Sequence, residues 1–498
     1  MAGLGAVIVA ATLLPASAAS AAPVDATVVV APAAAPLASA PLPYAGIPTT
    51  GWTFLDVPPG SRPYESSKAA SLSDPRAHTS TGVRLVVIGG KTYNHPVGQA
   101  ARGLEMLNGY RVTKDSRYLA IALANASRLV STRVVDTSVV SDGAWFYPHR
   151  YPFSLHRSAA DTMPLPWYSA MAQGEALSLF SRLAQATGSA AWRSAADRTF
   201  ASFLVPQRSR GAWVVEQDSD KHVWLEEFAA PGLRPAPDHT FNGHNFATAG
   251  LADYVALTHD PRATTLLDGA LTSSLARLPR LENPRWKSHY CLRHPAIFSA
   301  GYHRIHWSQM LWFQRLTGDT RFARWADTLE YDYPTPEIGG RLALVRGTHV
   351  GRRLDAAGRL IGTVTVRLGS TALVSMDRRE RLAPGSGIWL HITSGTLAGT
   401  WVPEAPGFAY AYGARVRITY PLTRTLVMPG TTTPVSVVLM ASSGATLHSG
   451  TITTATSSTT RTFGARATVN GVDRLRITSG RWSGWWIAAS SVTLDPPA

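Results

Sequence analysis

The sequence predicts a multidomain α + β protein in which an α/α toroid, an incomplete α/α barrel of helical hairpins, is followed by two small all-β repeats. Apolar residues recur at helical spacing from about residue 95. A similar polar junction returns between successive helices, and a tryptophan-containing segment recurs near the C-terminus at an offset of 85 residues. A chain of 498 residues is long enough for two or three domains with separate cores.

The N-terminal part of the chain divides into three predicted regions. Residues 1–22 combine a short apolar run with Ala-x-Ala steps, which predicts a secretory signal peptide because the run is too short to span a bilayer. Residues 23–43 are a predicted Pro/Ala linker, and residues 44–94 a lead-in region with short β-strands. We therefore expect a secreted or cell-envelope protein of a bacterium, with no transmembrane segment.

Residues 95–335 are predicted to form the toroid. Two amphipathic segments, VGQAARGLEMLNGYRV and SRYLAIALANASRLVSTRVV, are joined at Thr113, and related junctions follow at Thr187, Thr258 and Thr317. The spacings between these threonines, 74, 71 and 59 residues, are uneven but comparable. Repeated helical hairpins of this kind predict inner helices that line a cavity and outer helices that cover them.

Residues 340–409 and 410–498 are the two predicted β repeats. The segment WLHITSGTLAGTWVPEA is echoed by RLRITSGRWSGWWIAAS, so that Trp401 matches Trp486. These repeats resemble the paired β repeats attached to secreted actinobacterial wall enzymes. The resemblance implies binding to a cell-wall glycan; the alternative is that the repeats are spacers with tryptophans in their cores.

The composition limits the classes of partner. The formal net charge is +15 and comes mainly from arginine, whose planar fork suits carboxylates and sulfates on an anionic polymer. Compositional bias of a GC-rich genome is the alternative explanation. No dense basic run with interleaved aromatics is present, so we expect no nucleic acid. The single cysteine, Cys291, excludes an internal disulfide and is expected to be a small buried residue.

Residues 288–309 contain the densest group of polar candidates, SHYCLRHPAIFSAGYHRIHWSQ, with four histidines and two tyrosines. Residues 142–153, 163–177 and 222–246 are further loops rich in Trp, Tyr and His. Loops at one rim of a toroid carry function, and aromatic rings with polar neighbours suit the faces and hydroxyls of sugars. We therefore predict a carbohydrate groove, with aromatic plugging of the toroid as the alternative.

Five motifs in these loops resemble, in the same order, the C-terminal catalytic domain of the D-glucuronyl C5-epimerase family. They are WYSAMAQG (167–174), WLEEF (224–228), FNGHNF with GLADY (241–254), YCLRH (290–294) and YHRIHWSQ (302–309). The resemblance covers roughly residues 95 to 335. It implies an isomerase that converts D-glucuronate to L-iduronate residues within an acidic, heparosan-like polysaccharide, and a possible homodimer.

The chemistry can also be argued from the residues. Epimerisation at C5 removes a proton next to a carboxylate and returns one to the opposite face, which requires a cation at the carboxylate and two acid/base groups. Arg293 offers a bidentate fork for the carboxylate. Either Glu226 or Glu227, together with Tyr302, can supply the two faces.

The resemblance assigns catalytic roles to Glu227, Arg293, Tyr290 and Tyr302. This chain departs from the family at two positions. Phe228 replaces a functional tyrosine, and Cys291 replaces the aspartate of the family's YDLRH. We expect activity, with a substrate contact or part of the proton path lost at Phe228 and an altered substrate or polarity of the site. The predicted substrate-binding residues are Trp167, Tyr168, Gln173, Glu226, Phe228, Asn242, His294, His303 and His306.

We predict no metal and no cofactor. His303 and His306 have usable spacing for a metal, but no acidic residue lies among the histidines in the sequence. A lyase on a glucuronate polymer stays an alternative because it begins with the same proton abstraction, whereas a hydrolase requires a carboxylate pair that no motif supplies. A non-catalytic wall-binding protein is the third hypothesis, motivated by Phe228.

Overall fold

The computed structural model describes residues 41–141, 143–233, 237–430, 434–441, 445–454 and 458–496. The predicted signal peptide and most of the predicted linker lie outside the described residues. The chain divides into two compact units. Of the described residues, the first unit contains those up to Leu281 together with His289–Ile297, and the second contains Glu282–Ser288 and those from Phe298 onwards.

The first unit is mainly helical. Its strands pair as three antiparallel hairpins: β1 (Leu85–Ile88) with β2 (Lys91–Asn94), β3 (Val134–Asp136) with β4 (Ala144–Phe146), and β5 (Val215–Gln217) with β6 (Val223–Leu225). Its helices are α1 (Pro96–Thr113), α2 (Ser116–Thr132), α3 (Ala170–Thr187), α4 (Ala190–Ala201), α5 (Phe241–Thr258) and α6 (Pro261–Leu281).

These six helices form three hairpins, and each hairpin has one inner and one outer helix. Helix α3 contacts both α1 and α5, while α2, α4 and α6 each pack against the inner helix that precedes them. Inner helices that meet one another and outer helices that cover them are the arrangement of an incomplete α/α toroid. The predicted fold class is confirmed.

Two glycines allow the inner helices α3 and α5 to approach closely. A Cβ atom on Gly174 would lie 2.4 Å from the Ala247 Cα, and one on Gly250 would lie 2.1 Å from the Gly174 carbonyl oxygen. Any side chain at either position would therefore separate the two helices. Both glycines belong to the motifs that carry the family resemblance, so those motifs encode helix packing as well as chemistry.

The recurring helix junction has one local structure. Each threonine donates its hydroxyl to the carbonyl four residues earlier, at 2.7–2.8 Å, and accepts the N–H two residues later, at 3.1–3.3 Å. The residue directly after each threonine has a left-handed backbone conformation and ends the helix. The four left-handed residues are Lys114, Gly188, His259 and Gly318.

Buried polar contacts attach the lead-in region to the helices of the first unit. The Asp268 carboxylate on α6 accepts the backbone N–H groups of Thr50, Gly51 and Trp52 at 2.7, 2.8 and 3.1 Å. The Tyr64 hydroxyl bonds to the carboxyl group of the fully buried Glu175 on α3. These contacts place the lead-in region against both an outer and an inner helix.

The second unit begins with the helical hairpin α7 (Ala300–Thr317) and α8 (Thr320–Asp332) and continues as β-sheet. The strands are β7 (Glu337–Leu344), β8 (Gly347–Leu354), β9 (Leu360–Leu368), β10 (Ala372–Arg381), β11 (Ile388–Ile392), β12 (Thr400–Pro403), β13 (Ala409–Ala411), β14 (Ala414–Met428), β15 (Val435–Met440), β16 (Thr446–Ile452), β17 (Thr459–Val469), β18 (Val472–Ile477), β19 (Trp486–Ala488) and β20 (Thr493–Leu494). Both α7 and α8 pack against β14.

The two sheets of this unit have the same strand order. The first is β13-β7-β10-β11-β12-β8-β9, and the second is β20-β14-β17-β18-β19-β15-β16, so each strand is replaced by the strand seven places later. Equivalent hydrogen bonds join Gly399 N–H to the Ile392 carbonyl and Gly484 N–H to the Ile477 carbonyl, both at 2.8 Å. The predicted pair of β repeats is confirmed.

A buried arginine joins α8 to the second sheet. The Arg424 guanidinium on β14 donates to Asp327 on α8 at 2.6 Å and to Asp495 at 2.5 Å. All three side chains are at most one-tenth exposed. Among the described residues, no helix combines the length and apolar character needed to span a membrane.

Candidate active site

Backbone bridges bring four of the predicted functional segments together in the first unit. Each bridge joins one residue pair from different loops, and together they link residues 142–153, 163–177, 222–246 and the start of 288–309. The bridged pairs are His149 with Trp167, Tyr168 with Ala229, and Thr240 with Cys291. Segments that are more than a hundred residues apart in sequence therefore meet at one site.

Glu227 lies at the centre of this arrangement, on the loop that follows β6. The loop is fixed on both sides of Glu227, because Ala170 N–H donates to the Glu226 carbonyl at 2.7 Å and Tyr168 N–H donates to the Ala229 carbonyl at 2.7 Å. The loop also faces the first turn of α5. A Cβ atom on Gly243 would lie 2.2 Å from Glu227 Oε2, so only glycine leaves room for the carboxyl group there.

The environment of Glu227 favours its protonated form. Burial, followed by the charges of Asp238 and Glu226, raises the pKa of Glu227 to about 8. Among the described residues, its Oε2 atom is buried with no hydrogen-bond partner. A carboxyl group that is poised near neutral pH and has a free acceptor is suited to exchanging a proton with a bound ligand.

An aromatic cluster borders Glu227. The Phe153 ring stacks on Phe228 with centroids 5.5 Å apart, and His149 stacks on Trp167 at 3.8 Å. Phe228 replaces the family's tyrosine within this cluster and is 7% exposed. The hydroxyl that the family would place here is absent, while the ring keeps its apolar neighbours.

Tyr151 belongs to the same cluster and was missed by the sequence analysis. Burial and the charge of Glu227 raise the pKa of Tyr151, so its phenol is close enough to interact electrostatically with that carboxylate. Its ring meets Trp167 edge to face, with centroids 5.6 Å apart. The loop that contains Tyr151 was singled out for its aromatic content, but only the fold identifies which of its tyrosines is near Glu227.

Tyr290 and Arg293 lie on a short loop that is attached to the start of α5. Phe241 N–H donates to the Tyr290 carbonyl at 3.2 Å, and Tyr290 N–H donates to the Ile297 carbonyl at 2.7 Å. Tyr290 is 8% exposed and packs in the aromatic cluster. Arg293 is partly buried on the same loop.

The predicted substrate-binding residues of the first unit differ in their surroundings. Trp167 and Tyr168 are each 4% exposed, and Asn242 lies buried in the first turn of α5. Glu226 is fully buried with Oε1 2.5 Å from His239 Nδ1. Burial alone would lower the pKa of His239, but the negative charge of Glu226 raises it to about 9.

Gln173 is fully enclosed by the protein. Its Oε1 accepts Tyr147 N–H at 2.9 Å, while its Nε2 donates to the Trp145 carbonyl and to Ser202 Oγ, both at 2.7 Å. These bonds tie α3 to the strand β4. A contact between Gln173 and substrate would require this network to open.

Tyr302, His303 and His306 lie on α7 in the second unit. Tyr302 is 36% exposed, whereas both histidines are buried. His303 accepts Ser288 N–H at 2.8 Å and donates to the Leu329 carbonyl at 2.7 Å, and His306 Nδ1 lies 2.9 Å from Ser288 Oγ. Burial lowers the pKa of His303 to about 4, so it is a neutral interior group at physiological pH.

A second polar group adjoins the aromatic cluster. It consists of His156, Asp238, Cys291 and His294, whose potential ligand atoms all lie within 4.8 Å of one another. The His156 ring meets Tyr290 edge to face, with centroids 5.9 Å apart. Sequence reasoning missed this group because its members do not form a short metal-binding motif. Asp238, for example, lies 82 residues after His156.

The fold and the site together define an α/α-toroid domain whose rim combines a protonatable carboxyl group, tyrosines and stacked aromatic rings. Residues 141–330 match the family described as D-glucuronyl C5-epimerase C-terminus. The resemblance drawn from the sequence motifs is therefore confirmed for this stretch of the chain.

Individual proteins with partial similarity are distant. An uncharacterized protein of Methanocaldococcus jannaschii is 25% identical over 216 residues, which are 42% of this chain and 66% of the archaeal protein. A solved cellobiose 2-epimerase from Spirochaeta thermophila shares 14% identity over 47% of this chain and 57% of its own, with a TM-score of 0.34. A family 76 α-mannanase of Bacteroides thetaiotaomicron shares 12% identity over 48% and 55%, with a TM-score of 0.33.

Proposed function

We propose that this protein is an exported uronyl C5-epimerase that converts D-glucuronate to L-iduronate residues within an acidic polysaccharide. The family match over residues 141–330 supports a carbohydrate epimerase. The observation that carries the proposal of a uronyl C5-epimerase is the environment of Glu227. Its pKa is raised to about 8, and it borders the aromatic cluster that contains Tyr151 and Tyr290.

The reaction explains why such a site is useful. The proton at C5 is poorly acidic, because its removal places a second negative charge next to the uronate carboxylate. Arg293 would hold that carboxylate with two parallel hydrogen bonds and offset the developing charge. Phe153, the partly exposed ring of the stack, would present an apolar face to the sugar.

Glu227 would exchange the proton on one face of the sugar. A carboxyl group with a pKa of about 8 is present in both protonation states near neutral pH, so it can accept the C5 proton in one direction and return it in the other. A tyrosine would serve the opposite face. Tyr290 is the candidate in the first unit, whereas Tyr302, on α7 of the second unit, is a candidate from the family resemblance alone.

The wider biological setting is also a proposal. The apolar N-terminal segment supports export to the envelope of a bacterium, and the arginine-rich composition supports an anionic polymer as substrate. The β repeats would bind cell-wall glycan. Trp401 and Trp486 are 9% and 6% exposed, so such binding would use other surface groups of the repeats.

The test is nuclear magnetic resonance of glucuronate polymers, heparosan first, incubated with the protein in deuterated water. We expect deuterium at C5 and new iduronate signals from the wild type, neither from Glu227→Gln, and both from Asp220→Asn, which removes an exposed carboxylate from the same unit. The exchange rate should rise with pH through about 8 as Glu227 ionises.

Two other outcomes would contradict the proposal. Unsaturated uronate signals would identify a lyase, in which the C4 substituent leaves after the same proton abstraction. Absence of exchange on every glucuronate polymer, combined with retained glycan binding on an array, would identify a binding protein.

A further inference from the structure

We propose that His156, Asp238, Cys291 and His294 form a zinc site in the first unit. Such a site would form whether or not the protein is an epimerase. The donor set, the spacing of the donor atoms and the segments from which they come all fit a zinc ion.

The donor set is the one that zinc prefers. Two imidazoles, one thiol and one carboxylate offer nitrogen, sulfur and oxygen, whereas magnesium and calcium are bound by oxygen alone. A thiolate and a carboxylate together would balance the two positive charges of the ion. This balance matters because the Asp238 side chain is 5% exposed and Cys291 is fully buried.

The donor atoms are spaced for a tetrahedral ion. Bond lengths of zinc to nitrogen and sulfur imply donors about 3.3 to 3.6 Å apart. Cys291 Sγ lies 3.5 Å from His294 Nδ1 and 3.9 Å from His156 Nε2, and His294 Nδ1 lies 3.0 Å from Asp238 Oδ1. His156 Nε2 and Asp238 Oδ2 are closer, at 2.6 Å, so zinc would replace their hydrogen bond and move them apart by less than about 1 Å.

The ligands come from three separate segments. His156 lies in the aromatic-rich loop before α3, Asp238 precedes α5, and Cys291 and His294 flank Arg293. His156 and the following Arg157 both have left-handed backbones, with φ of 54° and 59°, which is a strained conformation for residues other than glycine. A metal bond at His156 would offset this strain and hold the loop in place.

The site is of the closed, structural kind. Four protein donors fill a tetrahedral zinc and leave no position for water. Its consequence for the neighbouring chemistry is mechanical: the ion would fix the loop that carries Tyr290 and Arg293. A second group, Glu216, Glu226 and His239, also lies within ligand distance, but it offers three donors and no thiol, which makes it the weaker zinc site and a useful control.

The experiment measures metal in the purified full chain by mass spectrometry after zinc loading and dialysis. We expect about one zinc per chain in the wild type and in Glu216→Gln, and its loss in His294→Asn. The His294 side chain is 27% exposed, so this variant should fold, and its circular dichroism should match the wild type. His259→Asn controls for the loss of an imidazole, because His259 is a left-handed helix cap that asparagine can replace.

Cobalt substitution tests the thiolate directly. The wild type loaded with Co²⁺ should show a sulfur-to-cobalt charge-transfer band in the near ultraviolet. Cys291→Asp should lose that band yet retain zinc, because a carboxylate can replace the thiolate as a ligand. Equal zinc in the wild type and His294→Asn, or a wild type that retains no zinc and shows no cobalt–thiolate band, would overturn the proposal whatever the outcome of the epimerase assay.

Discussion

The raised pKa of Glu227 predicts a stability change that does not depend on knowing the substrate. In the unfolded chain this carboxyl group should lose its proton near pH 4.5, whereas in the folded protein it does so at about 8. Between these values the folded protein holds a proton that the unfolded chain has released. Stability therefore falls as pH rises, by up to about 1.4 kcal/mol per pH unit, and levels off above about pH 8.

The magnitude follows from the same two pKa values. The full difference between 4.5 and about 8 corresponds to about 4.8 kcal/mol. Glu227 is partly exposed, and solvent screening lowers this figure to about 2–4 kcal/mol. Because glutamine is never charged, Glu227→Gln should be more stable than the wild type by this amount above pH 8 and nearly equal to it below pH 5.

The assay is urea unfolding of both proteins from pH 5 to 9, followed by the helical circular dichroism signal. Asp220→Asn corrects for the general loss of a negative charge, since Asp220 is largely exposed. The difference between Glu227→Gln and wild type should grow with pH. Parallel stability curves for these two proteins would refute the assignment of Glu227 as a carboxyl group that is protonated near neutral pH in the folded protein.

Three further substitutions test the neighbourhood of the site and the second unit. Gly243→Ala should displace the Glu227 carboxyl group and slow C5 exchange by at least about tenfold, with polymer binding retained; unchanged exchange would contradict this. Gln173→Ala should lower the free energy of unfolding by about 2–4 kcal/mol by breaking three buried hydrogen bonds, and a raised KM in the folded variant would instead support the predicted substrate contact. Arg424→Met should cost about 3–5 kcal/mol in urea unfolding because it leaves Asp327 and Asp495 buried without their shared cation, and a neutral effect would show that Arg466 and Arg324, which lie 3.2 and 3.4 Å from these carboxylates, neutralise them without Arg424.

The sequence contained most of the information on architecture. Helical spacing and the threonine junction predicted the hairpins, because both arise from interactions within a few residues. The offset of 85 residues predicted the two β repeats, whose strand orders prove to be the same. No pattern in the sequence indicated that α7 and α8 would pack against β14, since that contact joins residues about a hundred positions apart.

The candidate site was predictable only in part. Glu227, Tyr290 and Arg293 were predicted from motifs of five residues each, which can be recognised without knowledge of the fold. The roles of buried polar residues were harder to anticipate: the interior bonds of Gln173 and His303 depend on Trp145 and Leu329, which no motif connects to them. The group around Asp238 escaped detection for the same reason, because its members approach one another only after three loops have folded.

The threonine junctions described above also bear on how the chain reaches its native state. Each junction completes its hydrogen bonds within seven consecutive residues, Gly109 to Asp115 in the first, so a helical hairpin can close before any distant partner is present. Such local closure lowers the separation of contacting residues and favours rapid, independent formation. The sheets behave differently, because β7 must wait for β10 and β14 must wait for β17. During synthesis each helical hairpin would thus fold as an independent unit soon after it is made, and the β repeats would be completed last.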